Sequence, residues 1–168
     1  MKKLNWGDFA EIVGHVAIVA SLIFVGLQLM QSQDIAIATQ YQERAAAAVE
    51  YNGSQMHNAL AIAEKGAEII EFASTSEASP ELKSFIEERS PESIGMWFYE
   101  NRVFFTMIDN FHYQHSNGFM EQESWDAFEQ ELRKHLVKKS VVAYYKHFAL
   151  SPRGSFKELC DQILEEVD

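Results

Sequence analysis

The chain has one cysteine, three prolines and eight glycines in 168 residues, and its basic residues are outnumbered, 14 Lys and Arg against 25 Asp and Glu. Each shortage excludes something. A lone Cys160 cannot close an intramolecular disulfide, and its acidic neighbours Glu158 and Asp161 disfavour a thiolate nucleophile. With prolines only at positions 80, 91 and 152, long stretches have no residue that breaks the helical ladder. The formal net charge of −11 argues against nucleic acid as a partner, because neutralising phosphates needs a basic surface. No glycine-rich phosphate loop, nucleophile elbow or Walker pattern occurs, and no cofactor is implied. No segment alternates with period two for long enough to make a strand. The reading is an all-α protein without catalytic residues.

Apolar residues are nonetheless plentiful, at 47%, which rules out a disordered chain. They are concentrated first in Phe9 to Met30, FAEIVGHVAIVASLIFVGLQLM, where Glu11 and His15 are the only ionisable side chains. At ~1.5 Å per residue this stretch is ~33 Å long, enough for a ~30 Å hydrocarbon core. Asn5 suits an N-cap, Asp8 and Glu11 suit the first turns, and Trp6 suits a membrane interface. A cleavable signal peptide would use Lys2 and Lys3 as its basic region and Ala36-Ile37-Ala38 as its cleavage site, but acids interrupt the former and the latter lies far beyond the apolar run. A buried core helix is seldom this long, and an interfacial helix needs a charged face that is missing here. The expected organisation is a membrane anchor over 1–33 and an acidic helical bundle over 34–168. Lys2, Lys3, Asp8 and Glu11 cancel, so the whole negative charge belongs to the second part. That charge holds the bundle off an anionic lipid surface.

One face of the anchor carries Ala10, Gly14, Ala17 and Ser21, and continues through Phe24 to Gln28 and Gln31. Small residues let helix backbones approach in lipid and glutamines bond across the interface, so this face predicts self-association or contact with another membrane protein. The opposite face, Ile12, Val16, Val19, Ile23, Leu27 and Met30, is suited to lipid. His15 sits at headgroup level or marks a polar path; with Ser21 and Gln28 it is also compatible with an oligomeric pore. Lys2 and Lys3 precede the anchor and Arg44 is the first basic residue after it, which places the N-terminus in the cytoplasm and the bundle outside.

The run Val13 to Gln28, VGHVAIVASLIFVGLQ, resembles the opening of a group of uncharacterised bacterial membrane-anchored proteins that read E-I-(I/V)-G-A-I-A-V-V-x-S-L-I-Y-(L/V)-A-x-Q-I-R-Q-N. Gly118 to Trp125 is similar to their later G-x-(L/M)-(D/E)-x-x-x-W. The likeness covers about a third of the chain and implies a bacterial inner-membrane, single-pass protein, with no activity attached. Leu29-Met30-Gln31 stands where those proteins tend to have I-R-Q, and an arginine there favours a cytoplasmic bundle, so both orientations stay open.

Beyond the anchor, Asp34 to Tyr51 has strong helix formers that continue the membrane helix. Asn52-Gly53 is expected as the first break, with Ser54 capping a second helix towards Lys65-Gly66. Ser74 to Ser79 reads as a loop; Ser79-Pro80-Glu81 and Ser90-Pro91-Glu92 each start a helix, with Ser as cap and Pro at the first position. Glu92 to Ser116 carries two stripes, one through Ile94, Trp97, Phe98, Asn101, Phe105, Ile108 and His112 and an apolar one through Phe104, Met107 and Phe111. Such a helix is packed on most sides and forms the bundle centre. Ser116-Asn117-Gly118 ends it. Helices follow over Glu123 to Lys139 and Val141 to Leu150, then a loop at Ser151-Pro152 and a last helix from Ser155 to Glu166.

The polar residues of the central helix are Glu100, Arg102, Asp109, His112 and His115. Asp109 and His112 share a face at i, i+3 spacing, as metal-binding pairs do, but a di-iron bundle needs two Glu-x-x-His pairs and two more glutamates. Glu131 and His135, at i, i+4, are the one further pair. No metal is therefore assigned. Trp97, Arg102, Asp109 and His112 read either as an internal network, with Arg102 matched by a carboxylate, or as the floor of a pocket for a small ligand or metal in a helical-bundle sensor. The leading expectation is a non-catalytic accessory or assembly protein held in lipid.

Overall fold

The computed structural model describes residues 6–149 and 153–167. Among them are seven α-helices and no strand. α1 runs from Trp6 to Gln55, and the chain divides within it into two compact units, 1–40 and 41–168. Lys2, Lys3, Asn5 and the Ser151-Pro152 loop lie outside the described residues.

In the first unit, α1 is apolar and exposed together. No residue of its most apolar stretch, which begins at Phe9, is buried. The large side chains from Phe9 to Met30 are half to two-thirds exposed, including Val16, Leu22 and Phe24.

The second unit holds the end of α1, then α2 (Ala59–Ala73), α3 (Pro80–Ile86), α4 (Pro91–Ser116), α5 (Gln122–Leu136), α6 (Lys139–Phe148) and α7 (Gly154–Val167). Both Ser-Pro starts form as read: the Ser79 hydroxyl accepts from the Leu82 N–H and Ser90 from the Ser93 N–H, with Pro80 and Pro91 just inside. α4 ends in a Schellman turn. Gly118 takes φ +76°, and the N–H groups of Phe119 and Gly118 donate to the carbonyls of Gln114 and His115. Ile94, Trp97, Phe98, Phe105 and Ile108 are buried, and Phe104, Met107 and Phe111 pack against the same core from the second stripe. α4 is thus the central aromatic-rich helix.

Four expected boundaries are corrected. Asn52-Gly53 does not break α1, because Asn52 is buried and its Nδ2 donates back to the Ala48 carbonyl at 2.6 Å. The second helix is capped by Asn58, whose Oδ1 accepts from Leu60 and Ala61, while Ser54 donates to Tyr51. α2 also runs past Lys65-Gly66 to Ala73. Lastly, the helix expected over Glu123 to Lys139 stops at Leu136, and Lys139 already begins α6. Five residues along one helix turn a side chain well off the starting face; the kink at Val137-Lys138 lets both Leu136 and Val141 be buried.

α2 and α4 make the most extensive helix contact, and glycine permits it. A Cβ on Gly66 would lie 1.8 Å from the Pro91 carbonyl oxygen, and one on Gly95 1.9 Å from that of Ile62. Both obstructing atoms are backbone and cannot rotate away. Gly66→Ala or Gly95→Ala should therefore destabilise the bundle by about 3 kcal/mol or more, at the upper end of overpacking costs. Gly53→Ala, where a Cβ meets nothing within 4 Å, should instead stabilise it by about 0.5–1 kcal/mol. Thermal or urea unfolding of detergent-solubilised protein separates the two outcomes.

Candidate functional site

α4 distributes its polar residues between two environments. At its N-terminal half, Trp97 is buried against Phe85, Tyr144 and Phe148, with its indole N–H buried and without a hydrogen-bond partner. Arg102 lies with its guanidinium 5.7 Å from the centre of the Phe98 ring, on which Lys65 also sits at 5.3 Å. Among the described residues no carboxylate pairs with Arg102, and its Nε is buried without a partner. The expected carboxylate match is thus replaced by a cation–π contact. Burial pushes the neighbouring Tyr144 hydroxyl well above the ordinary phenol range, so it stays protonated.

At the C-terminal half, Asp109 pairs with Arg153, a residue the sequence reading passed over. Arg153 donates to both Asp109 carboxylate oxygens at 3.1–3.3 Å and to the Asp109 carbonyl at 3.2 Å. Its guanidinium also lies 4.5 Å from the Tyr113 ring centre and 5.0 Å from that of Tyr41, so a cation reads a carboxylate and two aromatic faces together. Its only sequence signal is a cation at the entrance of an otherwise acidic last helix. Phe156, buried nearby on α7, packs on His112, which also meets Trp125 edge-on. Burial lowers the His112 pKa and outweighs the attraction of Asp109, whose charge is already matched by Arg153.

The structure therefore divides the candidate cluster: Trp97 and Arg102 are near one end of α4, Asp109 and His112 near the other, and each half has its own partners. His115 stacks on Trp125 at 5.4 Å and shares a hydrogen bond with Gln122. Glu100 is exposed. Among the described residues no three His, Cys, Asp or Glu side chains converge to hold a metal. Cys160 is fully buried on α7, and burial first, then Asp161 and Asp109, push its thiol up to about 12.

Comparison with family models, curated proteins and solved structures finds no match to this chain. The site must be read from its own geometry. A cleft of about 210 Å³ opens beside the first half of α4, between Trp97, Glu100, Asn101 and Phe104 on one side and His135, Lys138, Ser140 and Val141 at the α5–α6 kink on the other. Sequence spacing gave Asn101 and Glu100 but could not give their juxtaposition with Lys138 and Ser140, since the kink creates it. A second hollow of about 270 Å³ lies on the far side of that kink, with Leu136, Val142 and Leu164 in its wall and Lys139 and Lys146 beside them.

The His112 environment has a definite pH signature. Its folded pKa is below the unfolded value, so the stability its neutral ring contributes is complete above about pH 6.5 and declines as pH falls below that value. His112→Gln should lose less stability than the wild type between neutral pH and about pH 5. Arg153→Ala should raise the His112 pKa, because it removes one repelling cation and frees the Asp109 carboxylate; an NMR titration of the imidazole protons reads this directly. The same variant leaves a partly exposed carboxylate unpaired and should cost about 1–3 kcal/mol, less than the full price of a buried ion.

Proposed function

We propose that the protein is a non-catalytic, single-pass membrane protein of the bacterial inner membrane, in which an apolar helix anchors a helical accessory or assembly domain. The observation that carries this reading is that no residue of the apolar stretch of α1 is buried. A run of half-exposed Val, Ile, Leu and Phe is unfavourable in water, at about 25 cal/mol per Å² of apolar surface, and favourable in hydrocarbon. The exposure weighs against a core helix, which hides such a stretch inside the protein. The acids that interrupt the basic region, and the distance of Ala36-Ile37-Ala38 from the apolar run, weigh against a signal sequence.

Lipid is thus the first partner, and another copy or a different membrane protein is the second. Ala10, Gly14, Ala17, Ser21 and Gln28 supply the contact face, and a Cβ on Gly14 would meet nothing in this chain, so the face is open. The N-terminus faces the cytoplasm and the domain the periplasm, following Lys2 and Lys3.

The membrane claim is tested by washing membranes with alkaline carbonate: the protein should stay with the lipid, and its release would overturn the anchor. The assembly claim is tested in nanodiscs. Gly14→Leu and Ser21→Leu should each dissociate oligomers or co-purifying subunits, whereas Val19→Leu on the opposite face should not. A wild-type protein that is monomeric and captures nothing would refute the assembly role.

A further inference from the structure

The cleft at the α5–α6 kink has a charge pattern that the anchoring role does not use. Glu100 and Lys138 both line it, and neither belongs to an ion pair among the described residues. An acid and a base that are both free of ion pairs thus share the wall of one cleft.

Between them the wall is buried and polar. Asn101 is 7% exposed; its Nδ2 donates to the Trp97 carbonyl at 2.7 Å, which leaves its Oδ1 as a free acceptor. Trp97, 8% exposed, lines the same side of the cleft. Opposite, the first turn of α6 has no side-chain cap; Val141 and Val142 donate to the Lys138 carbonyl, and the N–H groups of Lys139 and Ser140, with the Ser140 hydroxyl, suit an anion. The backbone carbonyl of Glu131 can only accept, so the His135 Nδ1 at 3.0 Å carries the proton and Nε2 is left over. The His135 ring stacks on Phe104 at 4.1 Å, giving a flat apolar wall.

We propose that this cleft binds a free α-amino acid. Its carboxylate sits at the start of α6 with Lys138 and Ser140, and its ammonium sits between Glu100 and the Asn101 Oδ1. The carbon skeleton lies along the His135–Phe104 stack. Size restricts the ligand, since about 210 Å³ is below the ~300–1,000 Å³ of sites for drug-sized molecules. Charge restricts it further: Glu100 opposes a simple carboxylate or phosphate, and Lys138 opposes a simple amine. Only a ligand with both charges satisfies both walls.

The test is calorimetric titration of the full-length protein in detergent with each of the proteinogenic α-amino acids. Each is paired with its deaminated acid and its decarboxylated amine. At least one amino acid should bind saturably at one per chain, and both single-charge partners should bind at least about tenfold weaker, a difference of about 1.4 kcal/mol. Glu100→Ala and Lys138→Ala, both at exposed positions, should each weaken binding about tenfold with unchanged melting temperature. Absence of saturable binding by any amino acid at millimolar concentration would overturn the proposal. So would equal binding of the deaminated acid, or binding indifferent to both substitutions.

Discussion

The bundle depends on two points where helix backbones touch without side chains between them. At Gly66 the α2 backbone meets the carbonyl of Pro91, and at Gly95 the α4 backbone meets the carbonyl of Ile62. This close approach brings Ile62 and Ile69 of α2 onto the same core as Ile94 and Phe98 of α4. It also fixes where α4 begins, since Pro91 is both the first residue of the helix and the atom group against which Gly66 rests. The remaining helices arrange themselves on the aromatic faces that α4 then presents: Phe105 stacks on Tyr144 of α6, and Phe111 meets Phe128 of α5.

Polar groups secure what the apolar contacts leave adjustable. Arg153 holds α7 to α4 through Asp109. Arg133 holds α5 to α7 through Glu166 while also bonding Glu129 on its own helix. Tyr145 of α6 donates to Asp161 of α7, which also takes a hydrogen bond from Lys157. The Ser79 N–H at the start of α3 donates to His147 Nε2 of α6 at 3.1 Å. Two of these ties use carboxylates matched to arginine, whose rigid fork loses less freedom per bond than lysine. The acidic excess is thereby organised: Asp109, Glu129, Asp161 and Glu166 serve these ties, the first two and the last through arginine and Asp161 through Tyr145 and Lys157.

How much of this was legible depended on the range of the interaction concerned. Local signals read correctly, because Ser79-Pro80, Ser90-Pro91 and Asn117-Gly118 determine caps and turns within four residues of themselves. The two apolar stripes of α4 also read correctly, since helical periodicity alone places them. Signals whose meaning is set by a partner did not. Gly66 looks like a helix end in sequence and is a packing surface in space. Asn52-Gly53 looks like a turn, yet a single backbone-directed hydrogen bond keeps Asn52 helical. Arg102 and Asp109 share a helix face, and each found its partner elsewhere, in the Phe98 ring and in Arg153. The cleft was the least legible feature, because Lys138 and Ser140 reach α4 only through a kink that burial of both Leu136 and Val141 imposes.

The two units have opposite relations to water. Residues 9 to 30 expose aliphatic side chains and carry almost no charge, whereas the second unit buries its aromatics and holds nearly all of the chain's negative charge. A surface of that sign is repelled by anionic headgroups, so the second unit has no electrostatic affinity of its own for an anionic bilayer. On the anchoring proposed above, the acidity of the domain and the apolarity of α1 are complementary: an aliphatic surface favours hydrocarbon, and an acidic surface favours water.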